Sequence, residues 1–389
     1  MIRITEKSKC CGCTACLSIC PKQCISLEAD EEGFLYPKVD EKTCVNCGAC
    51  ENVCPVLHTG KSRMPLYTMA ARNSDGEVLK QSSSGGVFSL LAQHILENKH
   101  GVIFGAMWAG DEVVHGSIER VEDLWRLRGS KYVQSRMGDT FNKVKRLLQE
   151  GRYVMFVGTP CQVAGLKSFL KKENERLLTV DLACHGTPSP KVLAIYLAEI
   201  KLRYGVQDVS LNFRDKSTGW DSYSISAYSG SHQIISEYLK QNSYMQGYLH
   251  ELYSRPICHA CPFKEFRSGS DITLADFWGI KNACPEMYDR RGVSLVLIHN
   301  DKGKVAIGDI AQKLTVKHVS YEEAIKENSS LLTSKPAHEK RAIFFRGLSK
   351  KKKFSSQVKK ITSMGLLKVI RLQLYLFLIK IKSKCVTVL

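Results

Sequence analysis

The pattern of apolar and polar positions changes character near residue 60. Before that point, "ISLEADEEGFLYPKVDEKTC" reads as short strands around a Glu-Gly turn, set between two cysteine runs. "HTGKSRMP", His58 to Pro65, reads as a linker closing a module of about sixty residues, small enough to need staples. After it, apolar runs alternate with helical patterns. "QSSSGGVFSLLAQHILENKHGVIFGAMW" predicts a Ser/Gly loop, an amphipathic helix from about Gly86 and a buried strand from Val102 to Trp108. "GRYVMFVGTPCQVAGLKSFLKK" predicts a strand, a sharp turn at Gly158–Pro160 and a helix from near Cys161. "RLLTVDLACHGTPSPKVLAIYLAEIKLRYG" repeats that plan, with Cys184 at the strand end. "SYSISAYSGSHQIIS" reads as a hairpin around Ser229–Gly230. "SDITLADFWGI", "GVSLVLIHN" and the helix after "NDKG" form a second α/β stretch.

Strand–helix alternation of this kind implies mostly parallel strands joined by right-handed crossovers. The expected fold is therefore α/β (α+β overall), in three parts: a dicluster module over 1–60, a mixed or parallel-sheet domain over 61–345, and a basic tail over 346–389.

Charge and composition change this picture in two places. The 389 residues carry a net charge of +18, which invites a nucleic-acid reading. From Ser349 to Leu389, however, there are eleven Lys and Arg and no Asp or Glu, so the basicity belongs mostly to the tail rather than to a groove. The tail also has an apolar patch from Leu372 to Ile379. It reads either as an interfacial segment on anionic membrane or as a helix that is solvated or docks on a partner. No run of 18 apolar residues is present, and "MIRITEKSKC" lacks the apolar core of a secretory signal. The expected location is the cytosol, peripheral to the inner membrane face through the tail. There, clustered cysteines more often bind metal than form disulfides, and this chain has sixteen.

Their spacing says what they bind. Cys10, Cys13, Cys16, Cys20 and Pro21 follow C-x2-C-x2-C-x3-C-P, and Cys44, Cys47, Cys50, Cys54 and Pro55 repeat it, each at the same offset from its counterpart. This is the bacterial ferredoxin signature for 4Fe–4S binding, in which the fourth cysteine of each run serves the other cluster. Cys10, Cys13, Cys16 and Cys54 are thus assigned to one cluster, and Cys44, Cys47, Cys50 and Cys20 to the other. Gly12, Gly48 and Ala49 keep side chains small where the backbone wraps each cluster. Zinc would favour two separated C-x2-C pairs. Cys11 and Cys24 fall outside the pattern and read as small buried side chains.

A second set of thiols is more open. Cys161 and Cys184 lie where strands end, an edge that parallel sheets use for ligands. "RPICHACPFKEF" adds Cys258 and Cys261. The four read either as ligands of a third 4Fe–4S cluster or as core filling. Cys184–His185 as nucleophile and base is the weaker rival, because no orienting acid is evident. Cys161 at a helix N-terminus suits thiolate chemistry and iron ligation equally. "SSSGGV" reads as a phosphate-binding loop or an ordinary N-cap. "GSKYVQS" and "NFRDKSTGW" read as solvated surface or as walls for a flat anionic cofactor.

Taken in order, "SSSGGVFSLLA", "GSKYVQS", "GTPCQVAGLK", "DLACHGTPSP", "NFRDKSTGW", "CHACPFK" and "SDITLADFWGI" resemble the coenzyme F420 hydrogenase/dehydrogenase beta-subunit family, over about Met1 to Ile298. The resemblance implies an iron–sulfur flavoprotein that binds FAD. It makes Cys161, Cys184, Cys258 and Cys261 ligands of a third cluster. It makes Ser83, Ser84, Gly85, Gly86, Lys131 and Tyr132 FAD contacts, and Asn212, Arg214, Lys216 and Asp276 candidates for the flavin or substrate pocket. The implied reaction passes single electrons from a ferredoxin-type donor through the clusters to FAD, for hydride transfer to a small-molecule acceptor. Bacterial relatives with fused ferredoxin motifs are associated with polysaccharide biosynthesis. No residue selects coenzyme F420 itself. The alternatives are a non-catalytic electron-transfer subunit of a larger complex and a flavin-free cluster scaffold.

Overall fold

The long apolar runs become the middle of one sheet. A computed structural model describes residues 1–349 and 353–363. In the N-terminal module β1 (Ile25–Ala29) and β2 (Leu35–Val39) form an antiparallel hairpin. There follow β3 (Tyr67–Asn73), β4 (Val102–Ala109), β5 (Glu112–Ile118), β6 (Val154–Gly158) and β7 (Leu177–Leu182). A small antiparallel sheet then holds β8 (Ser210–Asp215), β9 (Ser224–Ser229) and β10 (His232–Tyr238). The chain returns to the large sheet with β11 (Ile272–Asp276), β12 (Ser294–Ile298) and β13 (Leu314–His318). The order in that eight-stranded sheet is β13-β3-β12-β11-β7-β6-β4-β5.

The sheet is mixed. β4, β6, β7 and β11 are parallel neighbours, but every pairing outside them is antiparallel, which corrects the expectation of mostly parallel strands. The cause is local at one edge: only Gly110 and Asp111 separate β4 from β5, and so short a connection permits only an antiparallel return. The C-terminal ends of β6, β7 and β11 share one edge, and the candidate chemistry collects there.

Two layers cover the sheet. The helix Val87–Asn98 packs Val87, Leu91 and Ile95 against Ile103, Met155 and Val180. On the opposite face the helices Thr140–Gln149 and Pro160–Leu170 share a core with Phe104, Phe156 and the N-terminal module, which contributes Cys11, Cys13, Ala15 and Val53. The module is therefore packed into the body of the protein. Burying each large apolar side chain here contributes about 1.5–3 kcal/mol. Polar ties add to this: Glu32 accepts both terminal N–H groups of Arg341, Lys191 Nζ donates to the Glu31 carbonyl at 2.7 Å, and Ser189 Oγ donates to the Glu32 carbonyl.

The small sheet, the helices Pro190–Tyr204 and Ser243–Leu249, and the helices Arg341–Ser349 and Phe354–Thr362 enclose an aromatic core of Tyr196, Tyr244, Tyr253, Phe344 and Phe354. Phe354 and Val358, in the stretch read from sequence as tail, are fully buried in it. The apolar patch at 372–379 lies outside the described residues. Among the described residues no helix is long and apolar enough to cross a membrane.

Candidate iron–sulfur and cofactor sites

The sequence repeat is also a backbone repeat. Gly12 and Asn46, at matched positions of the two cysteine runs, both have positive φ (73° and 51°), as do Thr14 and Gly48 (69° and 72°). Each loop then enters a short helix, Ala15–Ile19 or Ala49–Asn52. Left-handed turns at matched positions wind both cysteine loops the same way. A β-branched residue such as Thr14 is a true outlier there.

Cys20, Cys44, Cys47 and Cys50 line one cavity of about 350 Å³, so the fourth cysteine of the first run meets the first three of the second. On the other side, burial and the neighbouring thiols of Cys10 and Cys54 push Cys16 up to about 12. Cys13 lies buried beside Cys11, with Cys16 and Cys10 within electrostatic reach. The two groups are the crossed quartets expected from the spacing. Cys24 is buried as expected but also lines the first cavity, with its sulfur 3.4 Å from that of Cys20.

Iron–sulfur clusters fit these donors. A single tetrahedral zinc with Zn–S near 2.3 Å would draw four sulfurs to within about 3.8 Å of one another. Among the described residues no three His, Cys, Asp or Glu side chains converge in that way. The thiols ring cavities instead. The Thr14 hydroxyl is buried without a partner, and the Ile2 N–H donates to Cys50 Sγ at 3.3 Å. Soft, all-sulfur donors around a void suit a polynuclear cluster.

The inner thiols meet at the shared sheet edge. Cys161 sits in the first turn of Pro160–Leu170, where Thr159 and Gln162 form a reciprocal cap and Thr159 Oγ1 lies 3.2 Å from Cys161 Sγ. Cys184 lies two residues past β7. Cys258 and Cys261 flank the end of the 3-10 helix Pro256–Ala260. All four line one cavity of about 640 Å³, and Cys11 of the N-terminal loop lines it too. Cys11, read from sequence as a buried bystander, is buried and in addition hydrogen-bonds Cys161. Burial raises the pKa of Cys184 and Cys258, and burial with the nearby Cys161 thiol pushes Cys261 up to about 12. Without metal these thiols hold their protons, so a cluster that binds them must displace those protons. Burial lowers His185 to about 4, so it is neutral beside Cys184. Among the described residues no hydrogen bond joins that pair.

The flavin candidates partly converge. Arg214 is buried, pairs with Asp276 at 3.0 Å, donates to the Ser83 carbonyl at 3.4 Å, and stacks 4.0 Å over the Tyr223 ring. Asp276 Oδ1 also accepts from Trp220 Nε1 at 2.7 Å, and Trp220 stacks on Trp278. Ser83 Oγ accepts from the Ser130 N–H at 2.9 Å, which joins the Ser/Gly loop to the loop carrying Lys131 and Tyr132. Lys131 Nζ donates to the Arg128 carbonyl at 2.8 Å, and burial lowers its pKa to about 7. Lys216 Nζ donates to the Leu79 carbonyl at 2.7 Å, and burial, then Arg214, lowers it to about 8.

Three candidates stand apart. Asn212 is exposed, and its Oδ1 accepts from the Arg214 backbone. Gly85 backs onto the Ala71 carbonyl and Ser294, and Gly86 starts the helix in a left-handed conformation. Ser84 Oγ donates to the Val293 carbonyl at 2.9 Å. As a flavin-sized acceptor of anions the remaining set fits: Arg214 Nε is buried with no partner, and Gly129, beside Ser130 and Lys131, faces open space.

Sequence reasoning missed Arg255, Gln134, Trp220 and Trp278. A cation in a loop reads as surface, and Arg255 is fully buried only because three distant segments close over it. For Trp220 and Trp278 the signal was their position within the polar-basic loop and just past β11.

Residues 9–57 match the 4Fe-4S dicluster domain, and residues 151–323 match the C terminus of the beta subunit of coenzyme F420 hydrogenase/dehydrogenase. The first match spans both cysteine loops, and the second spans all four inner thiols. Among solved structures the chain is similar to one from the xenon-derivatised F420-reducing NiFe hydrogenase complex of Methanosarcina barkeri. The two share 17% identity with a TM-score of 0.46, covering 77% of this chain and 91% of that one. No curated protein matches the chain. The chain is an iron–sulfur electron-transfer protein that belongs to the coenzyme F420 hydrogenase/dehydrogenase beta-subunit family, with a 4Fe–4S dicluster domain ahead of the beta-subunit domain.

Proposed function

We propose that the protein is a flavin- and iron–sulfur-dependent oxidoreductase that takes single electrons from a ferredoxin-type donor and delivers a hydride to a small-molecule acceptor, in the service of polysaccharide biosynthesis at the inner face of the membrane. Cys10, Cys13, Cys16 and Cys54 would hold one 4Fe–4S cluster, Cys20, Cys44, Cys47 and Cys50 a second, and Cys161, Cys184, Cys258 and Cys261 a third. Ser83, Lys131, Tyr132, Arg214, Lys216 and Asp276 would hold FAD. Clusters carry electrons singly and a flavin converts them to two-electron chemistry, which is why the two occur together. The residues' part is to bind, orient and screen. The inner thiols sit at the sheet edge where ligands bind in open α/β folds. Arg214 and Lys216 supply cationic groups for an anionic cofactor, and Trp220 and Trp278 hold Asp276 in place. The tail would touch the membrane surface.

The observation that carries this reading is that Cys11 of the dicluster domain lines the same cavity as the four inner thiols, so the two cysteine systems are contiguous. Anaerobic iron, sulfide and flavin stoichiometry tests it. About twelve irons and one FAD per chain are expected, four irons per cubane. About eight irons, or none of the yellow chromophore after acid release, defeats it.

A second reading is favoured by the family itself, which is named for a subunit. In it the chain passes electrons to a catalytic partner within a larger redox complex. Purified protein whose flavin is reduced by dithionite, yet which turns over no hydride acceptor, would select that reading.

A further inference from the structure

Arg255 is fully buried, and a buried cation is costly unless it is paired. Its Nε donates to the Cys10 carbonyl at 2.7 Å. Its Nη1 donates to Gln134 Oε1 at 2.9 Å. Its Nη2 reaches the Leu35 carbonyl at 2.9 Å and Cys10 Sγ at 3.5 Å. Among the described residues none of these partners is a carboxylate. The guanidinium also stacks 4.3 Å over the Tyr36 ring, which offsets part of the charge. The approach is made possible by Gly12, at φ +73°: a Cβ there would lie 2.8 Å from Arg255 Nη1.

Arg255 faces two thiol groups at once. It touches Cys10 directly, and its own carbonyl accepts from the Cys258 N–H at 2.8 Å, one turn before that inner thiol. Its charge also acts on the thiols of Cys161 and Cys258. A thiolate-ligated cluster is anionic, so a lone buried guanidinium between two such sites has its missing partner on either side.

We propose that Arg255 is the shared counter-charge of the cluster held by Cys10, Cys13, Cys16 and Cys54 and of the cluster held by Cys161, Cys184, Cys258 and Cys261, and that it raises the reduction potential of both. This rests on the third cluster of the proposed function. The step at issue is one-electron reduction: one electron arrives from the donor, one negative charge is added, and no bond forms or breaks. A fixed cation favours that added charge.

The test is an EPR-monitored dithionite titration of the full-length protein under anaerobic conditions, beside iron analysis. In Arg255→Met, the reduction equilibria of both clusters fall at least tenfold, about 59 mV for one electron. Arg255→Lys keeps the charge and stays closer to wild type. Gln134→Glu sets a carboxylate against Nη1, neutralising the charge in place, and shifts both potentials in the same direction as Arg255→Met. Unmoved potentials with iron retained, a shift in one cluster only, or equal shifts in Arg255→Lys and Arg255→Met would overturn the proposal. Where Arg255→Met loses iron, Gln134→Glu decides, and loss of iron from both makes Arg255 structural and likewise overturns it. Wild-type protein with about eight irons fails the proposed function instead, whatever the variants do.

Discussion

Gly165 and Cys13 are pressed together: a Cβ on Gly165 would lie 2.7 Å from Cys13 Cβ and 2.8 Å from its sulfur. Gly165 sits mid-helix in Pro160–Leu170, where glycine otherwise costs about 1 kcal/mol relative to alanine. The close approach of the helix to the cysteine loop explains the choice. Gly165→Ala is therefore expected to destabilise, by about 1–3 kcal/mol of overpacking, and to lower iron content. Thermal melting and iron analysis check this; a higher Tm with full iron would refute it.

Cys20 and Cys24 are neighbours with different expected roles. Cys20→Ala should remove about four irons, those of the Cys44, Cys47 and Cys50 cluster, because ligation is crossed. Cys24→Ala should keep all of them. Equal losses in the two variants would make Cys24 a ligand.

Lys131 gives the flavin reading a pH signature. Its pKa is lowered to about 7 by burial, so its charge is present below that value and lost as pH rises through it. Equilibrium dialysis should show FAD affinity of the flavin-stripped protein falling between about pH 6 and about pH 8. Lys131→Met should bind more weakly at the lower pH and lose the slope. An unchanged slope in the variant would remove Lys131 from the site.

Arg214 and Asp276 form a buried pair, with side-chain exposures of 2% and 20%. Asp276→Asn leaves a desolvated guanidinium without its carboxylate, which costs about 3–5 kcal/mol and lowers Tm by roughly 10 °C. The double variant Arg214→Met/Asp276→Asn should lose less than the two single changes summed. Additive losses would show that the pair is not coupled.

The sequence made the central strands and the cysteine quartets legible for physical reasons. β4, β6, β7 and β11 are buried on both faces, so they are continuous apolar runs with helices after β4, β6 and β7 that carry their own periodicity. Crossed ligation is encoded in local spacing. Strand direction has no such local mark, and the antiparallel flanks β3, β5 and β13 were not visible as part of this sheet. The position of Cys11 beside Cys161 depends on docking between segments far apart in the chain. Arg255 owes its burial to partners 245, 121 and 220 residues away, so nothing near it in sequence distinguishes it from a surface cation. The helix Phe354–Thr362 follows a lysine run that reads as solvent-facing, yet Phe354 completes an aromatic core assembled from distant segments.

Glu32 and Arg341 are 309 residues apart in the chain. During synthesis at about 5–20 residues per second, the hairpin that carries Glu32 leaves the ribosome on the order of 15 to 60 seconds before its clamp exists. Throughout that interval the cysteine loops are made but unseated, open to whatever machinery delivers iron and sulfide. Closure of the clamp then marks the end of that loading period, so the order of translation itself gives the metallocentres a time to mature before they are sealed against the body of the protein.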